Sequence, residues 1–414
     1  MPSHPLDKKI VVIFANMVQM AAIFLFIFLV GRKFGSEASA NFSQIQNIAT
    51  LLSFVSLGGF HFRLPASRSG SDVYYICKNI TIFLAISVAT TFFIFMSLYF
   101  IGLISSNFIL GLVWALGLSA IVITQYGYNA INSYLKSGFP RIVYSSIIIL
   151  ATTSLYFGFF EFQTVISMIA STTAILGILY FLKMVSEMSE QPISQCFSDF
   201  YSFKFSNLEW PFILKTLPVV ALSNFNTSSI FIFKDYFDED TLIAIIFFLT
   251  RLVSVSVQVL GNPLSQWLVN DVAKNENKRQ YGLSIPWKYF LNTSLFSLSA
   301  MIVAFIFIEY GGSILFGKPY EFPSNLQFMI AFCALLQVWG SIFSVLLISR
   351  NQAKCLWLCD ICRLLAILGI FLFGKKLPTP DLILMWYIVA SVYYGGVLLF
   401  VFKTRNITFV KNNE

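Results

Sequence analysis

Charge is scarce in this chain. Only 11% of its 414 residues are Asp, Glu, Lys or Arg, against about 25% in a typical soluble domain, and no stretch of soluble-domain length stands apart. With 57% hydrophobic residues and a mean hydropathy of +0.77, the fold has to be solved in lipid. Histidine is rarer still, and neither His4 nor His61 has a partner at metal-ligand spacing. The six cysteines offer no disulfide framework. Cys355, Cys359 and Cys362 share one helical face at i, i+4, i+7, where thiols in a membrane helix act as small apolar packing residues rather than metal ligands. No Gly-Lys-Ser/Thr phosphate loop, His-Glu-x-x-His or paired-aspartate motif occurs. Nucleotide hydrolysis by the phosphate loop is thereby excluded, and no catalytic or metal residue is expected.

What fills the chain instead is apolar runs. Crossing a bilayer takes roughly 20 apolar residues, and twelve such spans are expected, at 10–30, 39–60, 76–100, 108–133, 141–160, 162–184, 209–233, 241–268, 288–309, 324–349, 355–373 and 381–402. Barrel strands would alternate polar and apolar over about 10 residues, and the run from Ile10 to Val30 does not alternate. That run is too long for a signal-peptide core and leads into Gly31-Arg32-Lys33, so it reads as a retained first helix. The expected class is an all-α polytopic membrane protein. Its domains are a six-helix bundle over 1–184, a cytoplasmic linker over 185–208, and a second six-helix bundle over 209–414.

Loop charge gives the orientation. If the loops alternate from a cytoplasmic amino terminus, that side collects twenty Lys/Arg and the other six, with Arg251 inside a span. This is the positive-inside bias, and it puts both termini in the cytoplasm. The pI near 9.1 then calls for no nucleic acid. The halves also look alike at an offset of about 203 residues. Arg32 to Glu37 corresponds to Asp235 to Asp240, Leu57-Gly58 to Leu260-Gly261, and, after a modest insertion, Lys136-Ser137-Gly138 to Arg350-Asn351-Gln352. Two parallel repeats about an axis normal to the membrane normally enclose a cavity and rock for alternating access.

An intramembrane charge costs about 2.5–3.5 kcal/mol on insertion scales and calls for a use. Arg251 lies near mid-depth of span 8, with Ser254, Gln258 and Asn262 following at i+3, i+7 and i+11. Span 2 carries Gln46 and Asn47, span 4 carries Gln125, Asn129 and Asn132, and span 1 carries Asn16 and Gln19. Lys215 in span 7 and Arg363 in span 11 extend a positive surface, with Asp360 at i−3 as an alternative partner for Arg363. A guanidinium facing water is a ready anion site. Held together by their amides and hydroxyls, the same helices would need no cavity at all. Pro211 and Pro218 in span 7 suit either a gate hinge or a fixed bend.

In order, these features resemble the multidrug/oligosaccharidyl-lipid/polysaccharide exporter superfamily, MATE-like in fold, and within it the Wzx-type flippases of O-antigen and other polysaccharide repeat units. The resemblance rests on Gly31-Arg32-x-Phe34-Gly35 with Phe42 and Gln44, on Leu57-Gly58, on Thr250-Arg251-Leu252, and most specifically on Leu315-Phe316-Gly317-Lys318-Pro319-Tyr320. It implies export of an undecaprenyl-diphosphate-linked oligosaccharide across a bacterial inner membrane without a cofactor, driven by H+ or Na+ antiport, alongside other polysaccharide assembly proteins. Arg251, Lys215 and Arg363 would meet the diphosphate or acidic sugar. Ser254, Gln258, Asn262, Gln125, Asn129, Gln46 and Asn47 would meet hydroxyls. A multidrug or cation antiporter, an O-antigen polymerase and a structural membrane subunit are the alternatives. The polymerase is disfavoured by outer loops of about eight to fourteen residues.

Overall fold

The computed structural model describes residues 5–64, 67, 69–102, 105–192, 194–195, 208–233, 236–255, 284–349, 353–374, 377–404 and 408–410. Among them are eleven α-helices: α1 (Pro5–Ser56), α2 (Gly70–Phe100), α3 (Ser106–Ala130), α4 (Tyr134–Phe157), α5 (Phe162–Ser189), α6 (Trp210–Ile232), α7 (Asp240–Val255), α8 (Trp287–Phe316), α9 (Ser324–Ser349), α10 (Ala353–Phe373) and α11 (Thr379–Thr404). Two three-residue strands, β1 (Ser284–Pro286) and β2 (Thr408–Val410), pair in parallel. Among the described residues, nine helices are long and apolar enough to cross a membrane. α7 is described over 16 residues, and the remainder of expected span 8, from residue 256, lies outside the described residues.

The first two expected spans are two helical segments that meet at a non-helical residue, Gly35, with no intervening loop. α1 runs 52 residues and bends at Gly35, whose φ of 85° and ψ of −171° suit glycine because no Cβ is present to clash. Arg32, Lys33 and Glu37 therefore lie on helix, not in a loop. Lys33 Nζ donates to the carbonyls of Leu155 and Tyr156 at 2.5 and 3.1 Å. It thereby occupies the C-terminal end of α4, where unpaired carbonyls and the helix dipole favour a cation.

The chain divides into two compact units, Met1–Lys33 with Asn41–Ser228, and Phe34–Ala40 with Ser229–Glu414. In the first, a Cβ built on Gly177 would lie 2.6 Å from the Gly117 carbonyl oxygen. The backbones of α5 and α3 touch there, the close approach that small residues permit in membranes. Leu57, Phe60 and Leu64 in the turn after α1 pack with Val73, Ile123, Met184 and Leu208. Gly59 in that turn has φ 81°, and the carbonyl of Gly58 accepts from Thr216 Oγ1 at 2.9 Å. Leu57-Gly58 is thus a packing corner. Many hydroxyls within the spans bond their own helix, as Thr81 does to Cys77 and Thr124 to Ala120, both at 2.8 Å, so these need no water in hydrocarbon.

In the second unit α7 is buried on every side from Leu242 to Leu249, as a helix apolar all round should be. Phe248 stacks on Phe307 of α8 at 4.6 Å, and Val253, Ala304 and Ala334 join α7 to α8 and α9. The Leu315–Tyr320 element closes α8. Gly317 takes φ 74°, and Tyr320 folds back so that its hydroxyl donates to Glu239 at 2.7 Å. Burial, and then that bond, push the Tyr320 phenol upward from its ordinary pKa. Large side chains such as Leu150, Phe373 and Leu399 remain exposed along the spans, the surface that lipid covers.

Candidate functional site

The first unit holds a buried guanidinium that the sequence pattern misplaces. Span 5 is expected to open at residue 141, but α4 begins at Tyr134 and continues through Pro140. Arg141 is therefore about 10 Å inside the helix at 1.5 Å per residue, and only 8% exposed. Its Nε donates to Gln125 Oε1 of α3 and one Nη to Gln19 Oε1 of α1, each at 2.5 Å. Both partners are neutral amides, so these contacts orient the positive charge without cancelling it. Asn132, expected on the polar face of span 4, instead has φ 60° in the turn after α3, and its side chain accepts from the Tyr134 hydroxyl.

The second unit holds another. Arg363 on α10 is 2% exposed and lies over the rings of Trp386, Tyr393 and Tyr394 of α11, at 5.4, 4.9 and 5.4 Å from their centroids. Its Nε and both Nη atoms hydrogen-bond to no described group. Aromatic faces attract the cation by their quadrupoles, yet leave its N–H donors unspent. Trp386 is fixed in turn by a 2.9 Å bond from its indole N–H to Ser229. Asp360, one turn before Arg363, is fully buried. It lies seven residues beyond the first residue of α10.

The other expected residues fall as follows. Arg251 is half-buried on α7 with its guanidinium 5.1 Å from the Phe247 ring centroid. Ser254 lies on the last turn of α7, but its side chain, like Gln258 and Asn262 entirely, lies outside the described residues. Lys215 is exposed on α6. Gln46 and Asn47 are buried on α1; Asn47 donates to its own helix at Ser43 O, 2.8 Å away, whereas Gln46 Oε1 has no hydrogen-bond partner among the described residues. Asn129 is half-buried, one turn beyond Gln125. Pro211 sits in the first turn of α6, where no helical bond is broken, and Pro218 lies in its interior. The structure thus gathers Gln19, Gln125 and Arg141 in one unit, and Arg363 with its rings in the other. Arg141 is the residue sequence reasoning missed. The Asn132-Ser133 pair was the signal, because asparagine readily takes the left-handed turn that ends one helix and starts the next.

Apolar helices of this length, in two units, define a polytopic α-helical membrane protein, and the solved structures it resembles give it a MATE-like fold. The chain is similar over 98% of its length to the MATE multidrug transporter DinF-BH (TM-score 0.66, 12% identity, 96% of that chain covered). It is similar also to a multidrug resistance MATE family transporter of the MOP superfamily in its outward-facing conformation (TM-score 0.59, 12% identity, 97% of this chain and 95% of that one), and to an inward-facing one (TM-score 0.57, 13% identity, 95% and 97%). No family model matches the sequence, and no curated protein matches it.

Proposed function

We propose that this chain flips an anionic, lipid-linked oligosaccharide, an undecaprenyl-diphosphate-linked repeat unit of a surface polysaccharide, from the cytoplasmic to the periplasmic leaflet of a bacterial inner membrane by alternating access. One observation carries this reading. Among the described residues the buried Asp, Glu, Lys or Arg side chains inside the spans are Arg141, Arg363 and Asp360, two guanidinium groups to one carboxyl. Isolated charge in hydrocarbon is prohibitive, so an interior with excess positive charge suits a cargo bearing phosphate. A cationic drug needs the opposite balance. Gln46, Asn47, Gln125 and Asn129, with Ser254, Gln258 and Asn262, supply amides and hydroxyls for sugar. Arg251 and Lys215 add to the cationic path, and Asp360 is the carboxylate for a coupling H+ or Na+. No cofactor enters. Other polysaccharide assembly proteins are the expected partners.

The test is reconstitution. Proteoliposomes holding a labelled undecaprenyl-diphosphate saccharide should expose it on the far leaflet, and Arg141→Gln or Arg363→Gln should slow this by about tenfold, the effect of about 1.4 kcal/mol. The same vesicles should not accumulate a quaternary ammonium dye. If the dye moves and the lipid stays, the chain is a cation antiporter.

A further inference from the structure

Between α10 and α11 runs a groove of about 430 Å³, a volume typical of small-molecule sites. Leu358, Cys362 and Ala366 of α10 form one wall, and Ile388, Val392 and Gly396 of α11 the other. Each row repeats at i, i+4, i+8, so the walls are two facing helical ridges. Leu358 and Val392 are 59% and 71% exposed, and both helices qualify as membrane spans, so the groove opens on acyl chains. A Cβ at Gly396 would touch nothing within 4 Å, which leaves that turn open.

The lining also includes Arg363, nine-tenths buried and more, with donors that no described group accepts. It is the eleventh of the 21 residues of α10, about 15 Å from either end. Ordinary phospholipids keep their phosphates at the surface and would not reach it; a lipid in transit would.

The corresponding helix pair of the first unit, α4 and α5, provides a comparison. Its groove is about 150 Å³, and its lining, Leu150, Ala151, Val165 and Met168 among others, includes no charged residue. The arginine of α4 turns away from it, to Gln19 and Gln125.

Resting on the transport reading above, we propose that the α10–α11 groove seats the polyprenyl tail of the substrate lipid, with its phosphate brought against Arg363. The apolar ridges take the hydrocarbon. The phosphate, an acceptor only, takes the unspent N–H groups in the forked geometry that guanidinium offers. The tail would then travel along the second unit and never enter the hydrophilic path of the sugar.

The probe is a polyprenyl phosphate carrying a diazirine on its tail, added to the full chain in phosphatidylcholine nanodiscs. Crosslinks should map to the peptides holding residues 358–366 and 388–396, at about ten times the yield of a diazirine polyprenol or a diazirine phosphatidylglycerol. Arg363→Gln should bring the phosphate probe down to the polyprenol level. Val392→Trp, at an exposed position that tolerates bulk, should block insertion, whereas Ala151→Trp in the smaller groove should leave it unchanged. Equal labelling by polyprenol or phosphatidylglycerol, or full labelling of Arg363→Gln, overturns the proposal. Translocation is scored separately. Transport that survives Val392→Trp discards the groove and leaves the flippase, while specific labelling without any transport keeps the groove and discards the flippase.

Discussion

Two buried side chains show what single positions contribute. Arg141 meets two amide oxygens that have no access to bulk water. Arg141→Met would strand both acceptors, and leaving buried polar groups unpaired costs about 1–3 kcal/mol. The purified variant should therefore unfold at a lower temperature in detergent, and adding Gln19→Leu and Gln125→Leu should recover much of the loss, since an all-apolar replacement strands nothing. An unchanged melting point for Arg141→Met would mean the amides find other donors. His61 makes a second case. It is fully buried in the turn after α1, its ring 5.5 Å from Phe54 and 5.7 Å from Tyr126, and desolvation lowers its pKa from 6.5 to about 3. Unfolding lets this imidazole take a proton near pH 6.5 that the fold refuses until about pH 3. Its contribution is complete above pH 6.5 and is lost as pH falls through that window. His61→Phe keeps the ring and removes the titration, so its melting temperature should decline less than that of the wild type between about pH 7.5 and about pH 4.5.

At the scale of elements, the two prolines of α6 part company. Pro211 lies in the first turn, where its missing N–H has no helical partner to lose. Pro218 interrupts the ladder in the interior, where proline removes one bond and clashes with the preceding turn. Pro218→Ala should raise the melting temperature and slow translocation several-fold in proteoliposomes, and Pro211→Ala should change neither. A Pro218→Ala protein that transports at full rate would mean the bend is static. The spans were legible in sequence because a bilayer demands one long apolar run per crossing. Helix ends were not. Arg32 and Lys33 suggested a loop, but the break between the first two helical segments is confined to Gly35. Span 5 was expected to open at residue 141, yet α4 begins at Tyr134 and carries Pro140 internally, and that misplacement put Arg141 at the membrane surface. The Gln19–Arg141–Gln125 cluster draws on three helices, a meeting that no local pattern encodes. Arg363, by contrast, was visible as a charge in an apolar run, although its aromatic neighbours were not.

Across the whole molecule, contacts between chain ends sort the loops by face. Lys33 meets the end of α4, joining the first and fifth crossings. Tyr236 donates to the Phe371 carbonyl and Tyr320 to Glu239, joining chain ends that alternation also puts on the outer side. Arg63 pairs with Glu209, and Lys136 with Glu187 at 2.7 Å, joining ends that alternation puts on the inner side. Exposed pairs of this kind contribute little stability, about 0–1 kcal/mol, so their value lies in registering which ends are neighbours. The contacts leave the sign of the faces open, and the Lys/Arg excess predicts it. In a cysteine-free background, Glu161→Cys and Lys318→Cys should react with an impermeant maleimide on intact spheroplasts. Ser71→Cys and Lys136→Cys should react only after permeabilisation. All four positions are exposed, so failure to react would reflect sidedness and not burial. A reversed pattern would keep the alternation and put Arg63 and Lys136 on the periplasmic side, against the Lys/Arg reading. A mixed pattern would break the alternation itself, and with it the assignment of Arg141 and Arg363 to corresponding helices of two repeats.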